Sequence, residues 1–132
     1  MIIAVGRLRE PFLDDVAHYE KLLSRYARVE VIEVEDDARV HKRLPKDAYV
    51  VVLGEGGAER DSVTLSRWLE ERRQSGRDLA FVIGGPLGTE LEQRDETLSL
   101  GPLTLPFQLA RVVLLEQLYR AHKILAGEPY HR

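Results

Sequence analysis

"YVVVLGEGGAERD", residues 49–61, is the stretch from which the rest of the chain can be read. Residues 49–53 are wholly apolar and mostly β-branched. That composition suits a strand covered on both faces, as in the middle of a parallel sheet. "GEGGAERD" (54–61) then reads as a glycine loop. Ser62 has the character of an N-cap for a helix running to about Gln74, with Gly76 as its stop. "LAFVI" (79–83) is a second buried strand, and "GGPLG" (84–88) turns out of it. A strand, a helix and another buried strand in this order are the alternation of an α/β protein with a mostly parallel sheet.

Toward the N-terminus, "IIAVG" (2–6) has the same buried-strand composition, and the opening residues read as a first strand rather than a leader. Residues 10–27 read as a helix. Pro11 suits its first turn, Asp14 and Asp15 favour its positive end, and Phe12, Val16, Tyr19, Leu22, Leu23 and Tyr26 form one apolar stripe. "VEVIEV" (29–34) alternates like a strand with one wetter face, and 35–47 is polar, a loop or short helical turn. Toward the C-terminus, "TLSL" (97–100) reads as a last strand, "GPLTLPF" (101–107) as a loop and residues 108–125 as the longest helix. The predicted class is α/β with a mostly parallel sheet flanked by helices. With 132 residues, no repeats and no linker-like stretch, one domain is expected.

The chain has no cysteine, which excludes disulfides, zinc-thiolate sites and a cysteine nucleophile, and fits a cytoplasmic protein. No apolar run approaches the roughly 20 residues that span a bilayer. A net charge of −3 does not describe a polybasic nucleic-acid binder. The charge is uneven, however. Residues 55–100 hold six Arg against ten Asp or Glu, whereas 103–132 hold Arg111, Arg120, Lys123 and Arg132 against Glu116 and Glu128. An anionic partner would meet the C-terminal part.

In open α/β sheets, ligands bind beyond the carboxyl ends of the strands. Three loops leave such ends: "GEGG", "GGPLG" and "GPLTLPF". Each alone is an ordinary turn; together they point to a nucleotide-like cofactor read by backbone groups. The standard fingerprints are missing. There is no G-x-x-x-x-G-K-[ST], no complete G-x-G-x-x-G and no G-x-S-x-G. His18, His41, His122 and His131 are scattered without metal-ligand spacing. The last helix is apolar on nearly all sides and must be covered on nearly all sides. A dimer interface is therefore expected, with a central core helix of a monomer as the alternative. Glu116 and Arg120, at i and i+4, could pair on the surface or face a site.

"FVIGGPLG" (81–88), "LSLGPLTLPFQLARVVLLEQLYRAHKI" (98–124) and the terminal "GEPYHR" together resemble the RlmH family, the SPOUT-class methyltransferases of large-subunit ribosomal RNA. "AVGRLRE" and "VVLGEGG" match as well, so the resemblance covers nearly the whole chain. It implies a C-terminal trefoil knot, a homodimer and no metal. It also implies S-adenosylmethionine held by Leu53, Gly84, Leu100, Gly101, Pro102, Leu103, Thr104 and Leu105. The implied reaction is N3-methylation of a pseudouridine in helix 69 of 23S rRNA on the assembled ribosome. Three departures stand out: Phe107 where the family often has histidine, Ala58 where many members are basic, and a short 35–47 segment.

N3 of pseudouridine is a weakly acidic imide that must lose its proton. The absence of cysteine agrees with N-methylation over C5-methylation, and agrees equally with 2′-O-methylation. A binding dimer that uses the fold on the ribosome without catalysis is the non-enzymatic alternative. The terminal "PYHR" is expected to fold over the cofactor pocket, that of its own chain or of a partner. In that role Tyr130 stacks on the base, His131 takes the imide proton and Arg132 holds a phosphate or a developing carbonyl charge, with Arg120 nearby.

Overall fold

The computed structural model describes residues 1–84, 91 and 93–129. Along the chain run β1 (Ile2–Val5), α1 (Leu13–Leu23), β2 (Val31–Val34), α2 (Asp37–Arg43), β3 (Tyr49–Glu59), α3 (Ser62–Gln74), β4 (Leu79–Ile83), β5 (Glu96–Ser99) and α4 (Phe107–Leu125). The strands form one sheet in the order β2-β1-β4-β3-β5, every pairing parallel. Ile2 lies opposite both Val31 and Phe81, and Tyr49 lies opposite Leu79.

Alternation along the strands divides the core into two layers. Ile2, Ala4, Val51, Phe81 and Ile83 pack with Val16, Leu23, Leu65, Trp68, Leu114, Leu115 and Leu118 from α1, α3 and α4. Their sequence neighbours Ile3, Val5, Val50, Val52, Ala80 and Val82 pack with Val34, Val40 and Leu91 on the opposite face. Both faces are covered, which is why these strands are continuous apolar runs rather than alternating ones. Each fully buried leucine or isoleucine contributes about 1.5–3 kcal/mol relative to exposure.

Several boundaries differ from the sequence reading. Helix α1 is shorter than 10–27: Phe12 is its N-cap, Pro11 lies ahead of it, and Ser24 donates to the Lys21 carbonyl at 2.6 Å as the chain passes into turns. The 35–47 segment contains a true helix, α2, capped by Asp36, which accepts the Arg39 N–H at 3.1 Å. The cap of α3 is Asp61 rather than Ser62: its Oδ1 accepts the Thr64 N–H at 2.7 Å, while the Ser62 hydroxyl donates to Gln117 of α4 at 2.7 Å. The glycine stretch 54–61 is not simply a loop. Strand β3 runs on to Glu59, but Leu98 of β5 lies opposite both Leu53 and Ala58, so residues 54–57 bulge out of the ladder. Residues 85–88 of the "GGPLG" turn lie outside the described residues.

Two charge clusters, one partly buried around Glu96 and one joining buried Arg111 to exposed Glu33, fix the edges. Glu96 of β5 accepts from the Tyr49 hydroxyl at 2.9 Å and the Trp68 indole at 3.0 Å, and pairs with Arg60, which also lies over the Trp68 ring. Arg111 of α4, 7% exposed, pairs with Glu33 of β2 at 2.7 Å, and Glu33 also accepts the Leu8 N–H at 2.9 Å. Burial works to raise both carboxyls. For Glu33 the bonds to Arg111 and Leu8 outweigh it, and for Glu96 those to Arg60, Tyr49 and Trp68 do. Both groups sit below the ordinary carboxylate value of 4.5.

Glu96→Ala leaves three donors without their acceptor and should cost about 2–3 kcal/mol in urea unfolding. A depressed folded-state pKa contributes stability above the unfolded value and loses it as pH falls through the folded one. The unfolding midpoint should therefore be flat above the ordinary value of 4.5 and fall below it. A Glu96→Gln variant should show a shallower fall.

Candidate functional site

The carboxyl ends of β3, β4 and β5 open into a cleft of about 730 Å³. Its walls are the 53–55 stretch, Ile83 and Gly84 at the end of β4, and the segment that leaves β5; Phe107 and Ala110 from the first turn of α4 close it. Of the residues expected to hold a cofactor, Leu53, Gly84, Leu100, Gly101, Leu103, Thr104 and Leu105 all line this cleft. Pro102 does not; it sits exposed on the outer side of the same segment. Three segments distant in sequence, 53–55, 83–84 and 99–107, therefore meet in one place.

The local chemistry explains the shape. The Ser99 hydroxyl accepts the Gly101 N–H at 3.1 Å and donates to the Gly101 carbonyl at 2.9 Å, pinching the chain as it leaves β5. Gly101 has φ +125°, a conformation that side-chain-bearing residues rarely adopt. Beyond it Leu103 is 77% exposed. Across the cleft, a Cβ at Gly57 would lie 2.5 Å from the Thr97 carbonyl, so only glycine lets the bulge pass β5 this closely. The two walls touch where the Thr104 hydroxyl donates to Glu55 Oε1 at 2.5 Å.

Phe107 supplies the floor. Its ring edge would be 3.1 Å from a Cβ placed on Gly6, so it closes the cleft against the end of β1. An aromatic hydrocarbon there offers packing and no proton chemistry. Glu55 and Phe107 belong to loops that the sequence singled out but were not among the residues expected to hold a cofactor, and Ser99 lies outside those loops. The signal for Glu55 was in plain view, a charge between glycines, but nothing local placed it opposite Thr104.

Arg120 is not brought to this cleft. It pairs with Glu116 at 2.7 Å, both side chains less than a fifth exposed, and from Phe107 it lies about 20 Å along α4 at ~1.5 Å per residue. Tyr130, His131 and Arg132 lie outside the described residues. The far end of α4 is well fixed: Glu128 accepts from the Tyr26 hydroxyl at 2.9 Å and from Lys123 at 3.1 Å. Next to it His122 is buried and stacked on Tyr26; burial first, then the Arg73 charge, lowers its pKa, so it is a neutral packing group. No cluster of metal-ligating side chains occurs among the described residues.

The model for the family described as "Predicted SPOUT methyltransferase" matches residues 1–131. Relatives named ribosomal RNA large subunit methyltransferase H align along their whole length. That of Rubrobacter xylanophilus is 49% identical, with 98% of this chain and 96% of the relative covered. That of Acetivibrio thermocellus is 43% identical over 99% and 98%, and that of Gemmatimonas aurantiaca 41% over 99% and 97%. With a glycine-lined cleft at the carboxyl ends of a parallel sheet and likeness along its full length, the chain belongs to the SPOUT methyltransferase family.

Proposed function

We propose that this chain is an S-adenosylmethionine-dependent rRNA methyltransferase. It acts as a cytoplasmic homodimer that methylates N3 of a pseudouridine in helix 69 of 23S rRNA on the assembled ribosome. The observation that carries the reading is the convergence of the 53–55, 83–84 and 99–107 segments in one cleft, in a chain of this family. The cleft fits the cofactor. Its volume falls within the ~300–1,000 Å³ of small-molecule sites. Its apolar walls suit an adenine, and its glycine segments leave backbone groups free to read polar edges. Leu53, Gly84 and the 100–105 segment would hold the cofactor, which supplies an electrophilic methyl group when bound. Phe107 and Leu105 would limit water at the reacting centre.

The remaining roles fall to the tail. Phe107 at one end of α4 lines the cleft, and Glu128 is anchored at the other, about 28 Å away for 19 residues at ~1.5 Å each. The three residues after Pro129 reach at most about 11 Å. On this reading Tyr130, His131 and Arg132 serve the cleft of a second copy, which the length of α4 between Glu128 and the chain's own cleft favours. Half-buried Leu109, Val112, Val113 and Ile124 leave α4 an apolar stripe for that copy to cover. Arg120, held by Glu116 on the same helix, would steady the incoming tail. In the assembled site Tyr130 stacks on the base, His131 accepts the N3 proton and Arg132 stabilises charge developing on a uracil carbonyl.

The direct test is methyl transfer from labelled S-adenosylmethionine to ribosomes lacking the modification, with free 23S rRNA alongside. Label on a pseudouridine base, in ribosomes only, is expected. Label on a ribose would move the reaction to 2′-O, and no label despite cofactor binding would remove the substrate assignment. Arg132→Ala should lower kcat about 100-fold while leaving cofactor affinity near normal. Gly101→Val, which forces a branched residue into a positive φ at a cost of about 1–3 kcal/mol, should abolish cofactor binding. Mixing the two inactive variants should restore activity by subunit exchange. No recovery would place the tail on its own subunit's cleft.

A further inference from the structure

The cleft is chemically lopsided. Its lining is hydrocarbon, hydroxyl and backbone, and among the described lining residues only Glu55 carries an ionisable side chain. That carboxylate stands in the 54–57 bulge, flanked by glycines whose conformations are dictated by the fold: Gly56 has φ +75° and Gly57 lies against the Thr97 carbonyl. It is held from the opposite wall, where Thr104 donates to Oε1 at 2.5 Å. Thr104 neutralises nothing, since a hydroxyl has no charge to offer. Among the described residues, no lysine or arginine forms an ion pair with Glu55. An exposed carboxylate on the cleft wall, without an ion-pair partner, favours cations over neutral or anionic guests, by an amount that solvent and salt reduce.

We propose that Glu55 is the group by which the cleft distinguishes the charged methyl donor from its spent, neutral thioether. The inference rests on the methyl-donor reading above. S-adenosylmethionine carries a sulfonium charge, and S-adenosylhomocysteine shares the rest of its skeleton without it. The segment that holds Glu55 through Thr104 is also the segment that would hold the cofactor. The carboxylate thus attracts the donor before transfer and releases its hold when the charge is gone. Product departure is favoured without any movement of the walls.

The test is calorimetric titration of the full-length protein with S-adenosylmethionine and S-adenosylhomocysteine, at low and high ionic strength. Glu55→Gln keeps shape and the Thr104 acceptor but removes the charge. It should weaken donor binding about fivefold, as expected for a partly solvated ion pair, and thioether binding less than about twofold. The difference should fade with added salt. Thr104→Val, which keeps the charge, should leave the donor-to-thioether ratio unchanged. Equal shifts for the two ligands, or none for either, would overturn the proposal. So would a Thr104→Val variant that reproduces the Glu55→Gln result, because Glu55 would then act by holding the wall. Wild-type protein that binds neither ligand would instead remove the methyl-donor reading itself.

Discussion

The site depends on how β5 is fastened to β3. A four-residue edge strand has little apolar surface with which to hold its place. The Glu96 carboxylate does much of the holding. It gathers the Tyr49 hydroxyl from β3, the Trp68 indole from α3 and the Arg60 guanidinium from the turn between them. Such a cluster is stable only when complete, because a partly buried carboxylate without its donors costs more than it returns. With Glu96 satisfied, Leu98 and Ser99 lie at fixed heights beside β3, and the chain leaves β5 at the point from which it can wall the cleft. The bulge at 54–57 follows from the same constraint. Leu98 meets β3 twice, and the residues between those meetings are displaced toward the cleft.

Helix α4 links this end of the molecule to the other. Its first turn touches the cleft, its middle is locked between α1 and α3 by Leu114, Leu115 and Leu118, and its last turn is tied to Tyr26. Arg111 fastens it to β2 through Glu33, and through Glu33 to the loop after β1. The helix separates the cleft at its first turn from Glu128 beyond its last. The proposed dimer resolves that separation, and the half-buried stripe on α4 supplies a surface for it. The sequence argument from all-round apolarity expected a dimer interface on α4, with a core helix of a monomer as the alternative. Its two readings are not exclusive, since most of that cover comes from the chain's own core and the stripe remains.

Local chemistry made much of the fold legible. The apolar β-branched runs at 2–5, 49–53 and 79–83 could be nothing but strands buried on both faces, and all three are. The errors fell where local signals compete. Ser62 and Asp61 are both good caps, and only the Gln117 side chain, 55 residues away, draws the serine aside. "GEGGAERD" carries loop composition yet extends a strand, because β5 offers hydrogen-bond partners again at Ala58 and Glu59.

The sequence by itself determined the parallel α/β class, the order of its elements and the three glycine-rich exits. These follow from periodicity, branching and turn chemistry within a few residues. Only the tertiary structure decided that the exits meet, that Glu55 stands opposite Thr104, that Phe107 seals the floor against Gly6, and that Arg120 lies a helix length from the cleft. The strand order β2-β1-β4-β3-β5 is the physical reason. It brings residues tens of positions apart to one end of the sheet, and no local pattern records which strands will be neighbours.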